Sequence, residues 1–275
     1  MCKIDTVDIH LSAILSNSIY LVKDNDKWTE DAFVYGGKIF TINIPLKRNL
    51  IGDKGSINVG YCVQGETLYL TYAGTQDIEF WLYNADTDVR FFHGIGLHEG
   101  FLRLSEEVES VLFKDDFLEK LIEENQINKV VHCGHSAGGA VAGILALKCY
   151  ESNFGANCDN VIIDYGTPRY LKQNQALDIF PCERLRFQEV YDLIPCTPLT
   201  WRGPLPGFEH FGSVNYTTPD FKLLSNPPWY RSFVFVRKYL RSLLGGKPVS
   251  AVIEHHSMAN YTASVIVHLS LKGII

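Results

Sequence analysis

The chain of 275 residues lacks any C-x-x-C pair, and its seven cysteines (Cys2, Cys62, Cys133, Cys149, Cys158, Cys182 and Cys196) are scattered and odd in number. That pattern excludes a regular disulfide framework and thiolate-held zinc, and it predicts free thiols in a reducing compartment. No uninterrupted apolar run is long enough to cross a bilayer as a helix. The first apolar stretch, Ile9 to Val22, has no basic start, follows Asp5 and Asp8, and is broken by Ser12, Asn17 and Ser18. It reads as an amphipathic helix, not a secretory leader. The expectation is therefore an intracellular, cytoplasmic protein that touches membranes at most peripherally. Repeats, low-complexity segments and Pro/Ser-rich breaks are also missing, which predicts one domain over residues 1–275. A basic excess is absent as well. Lys and Arg total 25 against 31 Asp and Glu, a net charge of −6, so general nucleic-acid binding has no electrostatic support.

What is present alternates. Apolar runs at Ile39–Ile44, Ile57–Val63 and Thr67–Tyr72, separated by turn-rich pieces, read as strands. Phe101 to Asn125 repeats apolar residues at helical spacing. Val161–Ile163 and Arg184–Val190 read as further strands, with a helical or irregular connection over Tyr170 to Phe180. Such alternation predicts an α/β fold with a mostly parallel sheet, helices on its faces and a site at the carboxyl ends of the strands.

The organising stretch runs from Val130 to Leu147 and contains Gly134-His135-Ser136-Ala137-Gly138. A β-branched run, a serine between glycines and a small, apolar helix-like run together describe a nucleophile elbow. Ser136 would stand at its tip, and the helix from Ala137 would aim its first N–H groups at a developing oxyanion. A glycine-rich turn of this kind also suits a phosphate cradle. The lysine that a phosphate loop needs is missing.

Seven blocks then extend the pattern: Tyr72-Ala73-Gly74-Thr75, Trp81, His98-Glu99-Gly100-Phe101, the elbow, Tyr165-Gly166-Thr167-Pro168-Arg169, Asp192-Leu193-Ile194-Pro195, and His256 through Tyr261. Their order resembles that of the fungal-type class 3 lipases, over roughly the last three-quarters of the chain. The resemblance implies the α/β-hydrolase fold, with Ser, Asp and His in that chain order and a lid over the site.

A serine hydroxyl needs an imidazole to take its proton, and the imidazole needs a carboxylate to orient it. His256 lies where the fold expects the base, and its spacing to Tyr261 resembles the family segment. His255 is the neighbouring alternative. Asp192 follows a strand-like run and resembles the family's D-x-x-P block, while Asp164 also ends a strand. For the oxyanion, one donor is the backbone N–H of Ala137, and the other, by resemblance, is Thr75. Ala73 stands where the family has arginine. No metal or other cofactor is called for.

The resemblance implies a serine hydrolase acting on a lipid ester, whether triacylglycerol, diacylglycerol or a phospholipid acyl ester. The alternative is a lipase-like scaffold that binds a partner with little or no turnover. Ile78, Trp81 and Leu82 fall at helical spacing after the oxyanion block, as expected of a lid that contacts substrate. Phe221 to Ile253 holds Lys222, Arg231, Arg237, Lys238, Arg241 and Lys247 but no acid. Apolar residues share its helical pattern, so it is expected to meet a lipid or membrane surface.

Overall fold

The computed structural model describes residues 4–21, 29–32, 38–45, 56–74, 88–152, 158–173, 182–192, 194–198, 207–218, 220–224 and 254–274. Helix α1 (Thr6–Ser18) begins a few residues before the first apolar run because acids cap it. The Asp5 carboxylate accepts from the Asp8 amide, and the Asp8 carboxylate from the Asp5 amide, both at 2.9 Å. This reciprocal pair satisfies amides that have no partner within the helix. Asp8 is also buried, where it receives the Lys129 ammonium and, at 3.1 Å, the Tyr69 hydroxyl. Those contacts anchor α1 to the sheet. A single 3-10 turn, Ile19–Leu21, follows it.

Four strands, β1 (Thr29–Ala32), β2 (Lys38–Pro45), β3 (Ser56–Gln64) and β4 (Thr67–Tyr72), form an antiparallel run. From β4 the ladder turns parallel through β7 (Lys129–His135), β8 (Asp159–Tyr165), β10 (Glu183–Glu189) and β12 (Ser213–Thr217). The short β13 (Leu223–Leu224) closes it antiparallel, giving a nine-stranded sheet in the order β1-β2-β3-β4-β7-β8-β10-β12-β13. A small second sheet pairs β5 (Val89–Phe92), β6 (Ile95–His98), β9 (Leu171–Lys172) and β11 (Phe208–Glu209).

Two apolar layers fill the faces of the main sheet. On one face α1 and the last helix, α5 (Met258–Leu271), pack against Val131, Cys133, Val161, Ile163, Tyr165 and Phe187. On the other, α2 (Glu99–Leu112) and α4 (Ala137–Glu151) cover Leu68, Leu70, Tyr72, Val130 and Ile162. Covered on both sides, β7 is buried at every position, as central parallel strands are. This is the α/β-hydrolase architecture expected from the sequence.

One expectation fails locally. The helical pattern over 101–125 is split into α2 and α3 (Phe117–Glu124) at Lys114–Asp116, where Asp115 and Asp116 both take φ of 56°. Aspartate tolerates the left-handed region better than most residues. The apolar spacing continues across the break, so periodicity alone did not reveal it. Leu171–Lys172, within the connection read as helical or irregular, is a strand. Among the described residues no helix is long and apolar enough to cross a membrane. The six described cysteines are free, and burial pushes the Cys133 thiol up to about 12.

Two measurements test this packing. A Cβ on Gly138 would overlap the Tyr72 carbonyl oxygen and lie 2.7 Å from the Ala73 carbonyl carbon. Gly138→Ala is therefore expected to lower the urea-unfolding free energy by about 1–3 kcal/mol, and an unchanged midpoint would show that α4 can retreat from β4. Inside the sheet, His132 bonds the Tyr72 hydroxyl through Nδ1 at 3.2 Å and the Asn160 amide oxygen through Nε2 at 3.1 Å. Burial lowers its pKa from 6.5 to about 4. The unfolded chain thus binds the proton that the folded chain refuses, so this contribution is complete above pH 6.5 and is lost as pH falls toward 4. Unfolding free energies measured between pH 7.5 and 4.5 are expected to fall less steeply in His132→Gln than in the parent, and identical slopes would refute the assignment.

Candidate active site

The carboxyl edge of the parallel strands carries the chemistry. Ser136, between β7 and α4, has φ 58° and ψ −131° and is buried. Such a backbone is costly for a residue with a Cβ, and fixed contacts hold it. The Ser136 amide donates to the Tyr165 carbonyl at 2.9 Å, and the Gly139 amide donates to the Ser136 carbonyl at 3.0 Å. Gly134 and Gly138 meet back to back behind the turn, where a Cβ on Gly134 would lie 2.5 Å from the Gly138 carbonyl carbon. Ala137 opens α4, so its amide belongs to the first turn, whose N–H groups have no acceptor within the helix.

Asp192 and His256 come together at this edge from different elements. Asp192 lies three residues beyond β10, and His256 ends a 3-10 turn just before α5. Asp192 Oδ2 and His256 Nδ1 are 2.6 Å apart, with both side chains wholly buried. Two further donors complete the carboxylate: the Tyr261 hydroxyl at 2.6 Å and the Ile194 amide at 2.9 Å. Tyr261 in turn accepts from the Glu189 amide at 2.9 Å, which ties α5 to the end of β10. Gly166, at φ 58°, leaves the space these groups need, since a Cβ there would stand 2.9 Å from Asp192 Oδ2 and 3.0 Å from His256 Cε1. His256 Nε2, the nitrogen turned away from Asp192, is buried with no partner among the described residues.

The elbow and this pair meet through His135, whose ring centroid lies 4.4 Å from that of His256. Burial and the neighbouring His256 hold the His135 pKa well below 6.5, so it remains neutral. A second cation beside His256 is thereby avoided.

The alternatives go elsewhere. His255 points its Nδ1 toward Glu189 at 3.6 Å and sets its ring beside Tyr191. Asp164 receives the Arg184 guanidinium at 2.6 Å, both side chains buried, while Tyr170 and Phe211 present ring faces to the same arginine. Its position across the sheet from β10 commits it to an ion pair. Thr75, the residues Ile78, Trp81 and Leu82 expected to form a lid, and residues 225–253 lie outside the described residues. Ala73 is buried, and its amide donates to the Asn58 carbonyl at 2.9 Å.

Sequence reasoning missed two contributors. Tyr261 was noted for spacing alone, yet it holds the carboxylate, and Gly166 provides the room. The clue available for Gly166 was its place in the Tyr165-Gly166-Thr167-Pro168-Arg169 block.

Residues 69–201 match the sequence profile described as lipase (class 3). The fold superposes on a lipase from Rhizopus microsporus var. chinensis with a TM-score of 0.62 at 20% identity, over 81% of this chain and 75% of that one. Lipase II from Rhizopus niveus gives 0.57 at 21% identity, over 78% and 82%. A triacylglycerol lipase whose catalytic centre is formed by a serine protease triad gives 0.53 at 19% identity, over 76% and 78%. None of the curated protein sequences matches the chain. At such identities the structural likeness establishes the fold, and the segment 69–201, which holds the elbow and Asp192, is similar to the class 3 lipases.

Proposed function

We propose that this chain, as one hydrolase domain over residues 1–275, cleaves carboxylic esters of lipids through an acyl-enzyme on Ser136. The observation that carries the reading is the buried Asp192–His256 pair at 2.6 Å, whose imidazole lies against His135, the residue before Ser136 in the positive-φ elbow. In this mechanism His256 Nε2 takes the Ser136 proton as Oγ attacks the ester carbonyl. Asp192, held by Tyr261 and Ile194, fixes the tautomer and offsets the imidazolium charge. The Ala137 and Thr75 amides hold the tetrahedral oxyanion. His256 then protonates the leaving alcohol, and water, activated by the same imidazole, releases the fatty acid and restores Ser136.

The similarity of residues 69–201 to class 3 lipases supports lipid ester hydrolysis in general. The similar lipase with a serine protease triad supports the division of roles among Ser136, Asp192 and His256. For substrate contact we assign Ile78, Trp81 and Leu82 to a lid, and the acid-free segment 221–253 to the lipid surface.

The test combines labelling and turnover. A fluorophosphonate is expected to label Ser136 in the folded protein, and an ester series varying acyl length and head group is expected to identify the substrate. Ser136→Ala, Asp192→Ala and His256→Ala should each lower kcat, by about 10⁴- to 10⁶-fold, with the fold intact, while His255→Ala should be mild. A folded protein that neither labels at Ser136 nor hydrolyses any member of the series would instead be a non-catalytic scaffold.

A further inference from the structure

Tyr20 sits on the 3-10 turn after α1, far upstream of the profile-matching segment that starts at residue 69. Its hydroxyl nevertheless reaches the candidate active site. The Gly74 amide donates to it at 2.8 Å, and it lies 2.8 Å from His135 Nδ1, with the two rings edge to face. A phenol has one proton to give. Besides accepting from Gly74, the hydroxyl shares one hydrogen bond with Nδ1, whichever of the two carries the proton. Burial raises the Tyr20 pKa well above 10, so the hydroxyl stays un-ionised.

The backbone of the same turn holds the same place. The Asn58 side chain donates to the Ile19 carbonyl at 3.1 Å, while the Asn58 carbonyl accepts from Ala73 at 2.9 Å. Gly74 therefore occupies a slot with the phenol on one side and the elbow on the other. A Cβ there would lie 2.5 Å from the Tyr20 hydroxyl and 2.8 Å from Ser136 Cβ. The next residue in the chain is Thr75.

We propose that Tyr20 is a positioning residue for the oxyanion site: its hydroxyl ties Gly74, just beyond β4, to the elbow that carries Ala137. The inference rests on the esterase reading above. Its physical basis is that donors stabilise a transition state only when fixed in place before the charge forms. A link made by one hydroxyl to both strand ends supplies that fixation.

Tyr20→Phe removes the hydroxyl and keeps the ring. On a short soluble p-nitrophenyl ester it is expected to lower kcat about 10- to 100-fold, below the loss for deleting an oxyanion donor outright, with KM within about twofold. The inhibition constant of an alkylboronic acid, whose adduct on Ser136 places an oxygen in the oxyanion site, should rise by the same factor as kcat falls. A merely structural role would lower the melting temperature without this match. Should Tyr20→Phe fail to fold, His135→Phe cuts the same link from the elbow side while keeping a ring against His256, and the same matched losses are expected. In the double variant the losses should not multiply. A parent protein that turns over ester while the folded single variants keep its kcat and boronate affinity would overturn this inference alone, whereas a parent with no turnover and no Ser136 labelling would overturn the esterase reading beneath it.

Discussion

The closeness with which α4 can approach β4 governs everything at the carboxyl edge of the sheet. Ser136 is held at φ 58° because the chain reverses between β7 and α4 without room for a wider turn. Gly134 and Gly138 carry no Cβ at the two points where backbone meets backbone. The strained angle is the result of that crowding, and it persists because the sheet register and a buried helix over-determine it. α4 is buried from Ala137 to Cys149, and Lys148 within it is paired with Glu109 of α2. The serine is thus presented between two buried elements.

The second requirement is electrostatic. One carboxylate must remain charged in a buried place, and the structure surrounds Asp192 with Tyr261, the Ile194 amide and His256. Hydrogen bonds to the charged form offset the loss of water. Another buried carboxylate on this edge, Asp164, is paired differently, with a guanidinium that has aromatic faces around it. The two acids therefore have opposite capacities. One offers an oxygen to an imidazole, while the other is consumed by a cation. Two histidines nearby are held well below the ordinary histidine value: His135 by burial and by its neighbour His256, and His210 by loss of solvent and by the field of Arg186, Arg184 and Arg169.

This division explains what could be read from the sequence. The elbow was legible because its demands are local: a β-branched strand, small residues two before and two after the serine, and an apolar run. The candidate acid and base were legible through the order and spacing of blocks around Asp192 and His256. The choice between Asp192 and Asp164 rests in physical terms on Arg184, which reaches Asp164 only through the parallel pairing of β8 with β10. No spacing rule expresses that register. The break at Asp115–Asp116 was hidden for a related reason, since left-handed residues there leave the apolar positions on either side in helical phase.

Tyr20 illustrates the same limit at longer range. Nothing in Ser18-Ile19-Tyr20-Leu21 marks an active-site residue, and an apolar reading of the stretch places Tyr20 on an amphipathic helix. Its role depends on where α1 is docked, and that is decided by the Asp8–Lys129 pair at the opposite end of β7. Lys129 begins the strand that His135 ends. One strand therefore has α1 fixed to its first residue and the following turn fixed to its last. Removing charge at Asp8 would take from the buried Lys129 ammonium its nearer carboxylate and leave Asp5 at 3.8 Å. It would also free the segment that carries the Tyr20 hydroxyl to Gly74. The N-terminal helix, which bears no motif of its own, is in this way coupled mechanically to the geometry around Ser136.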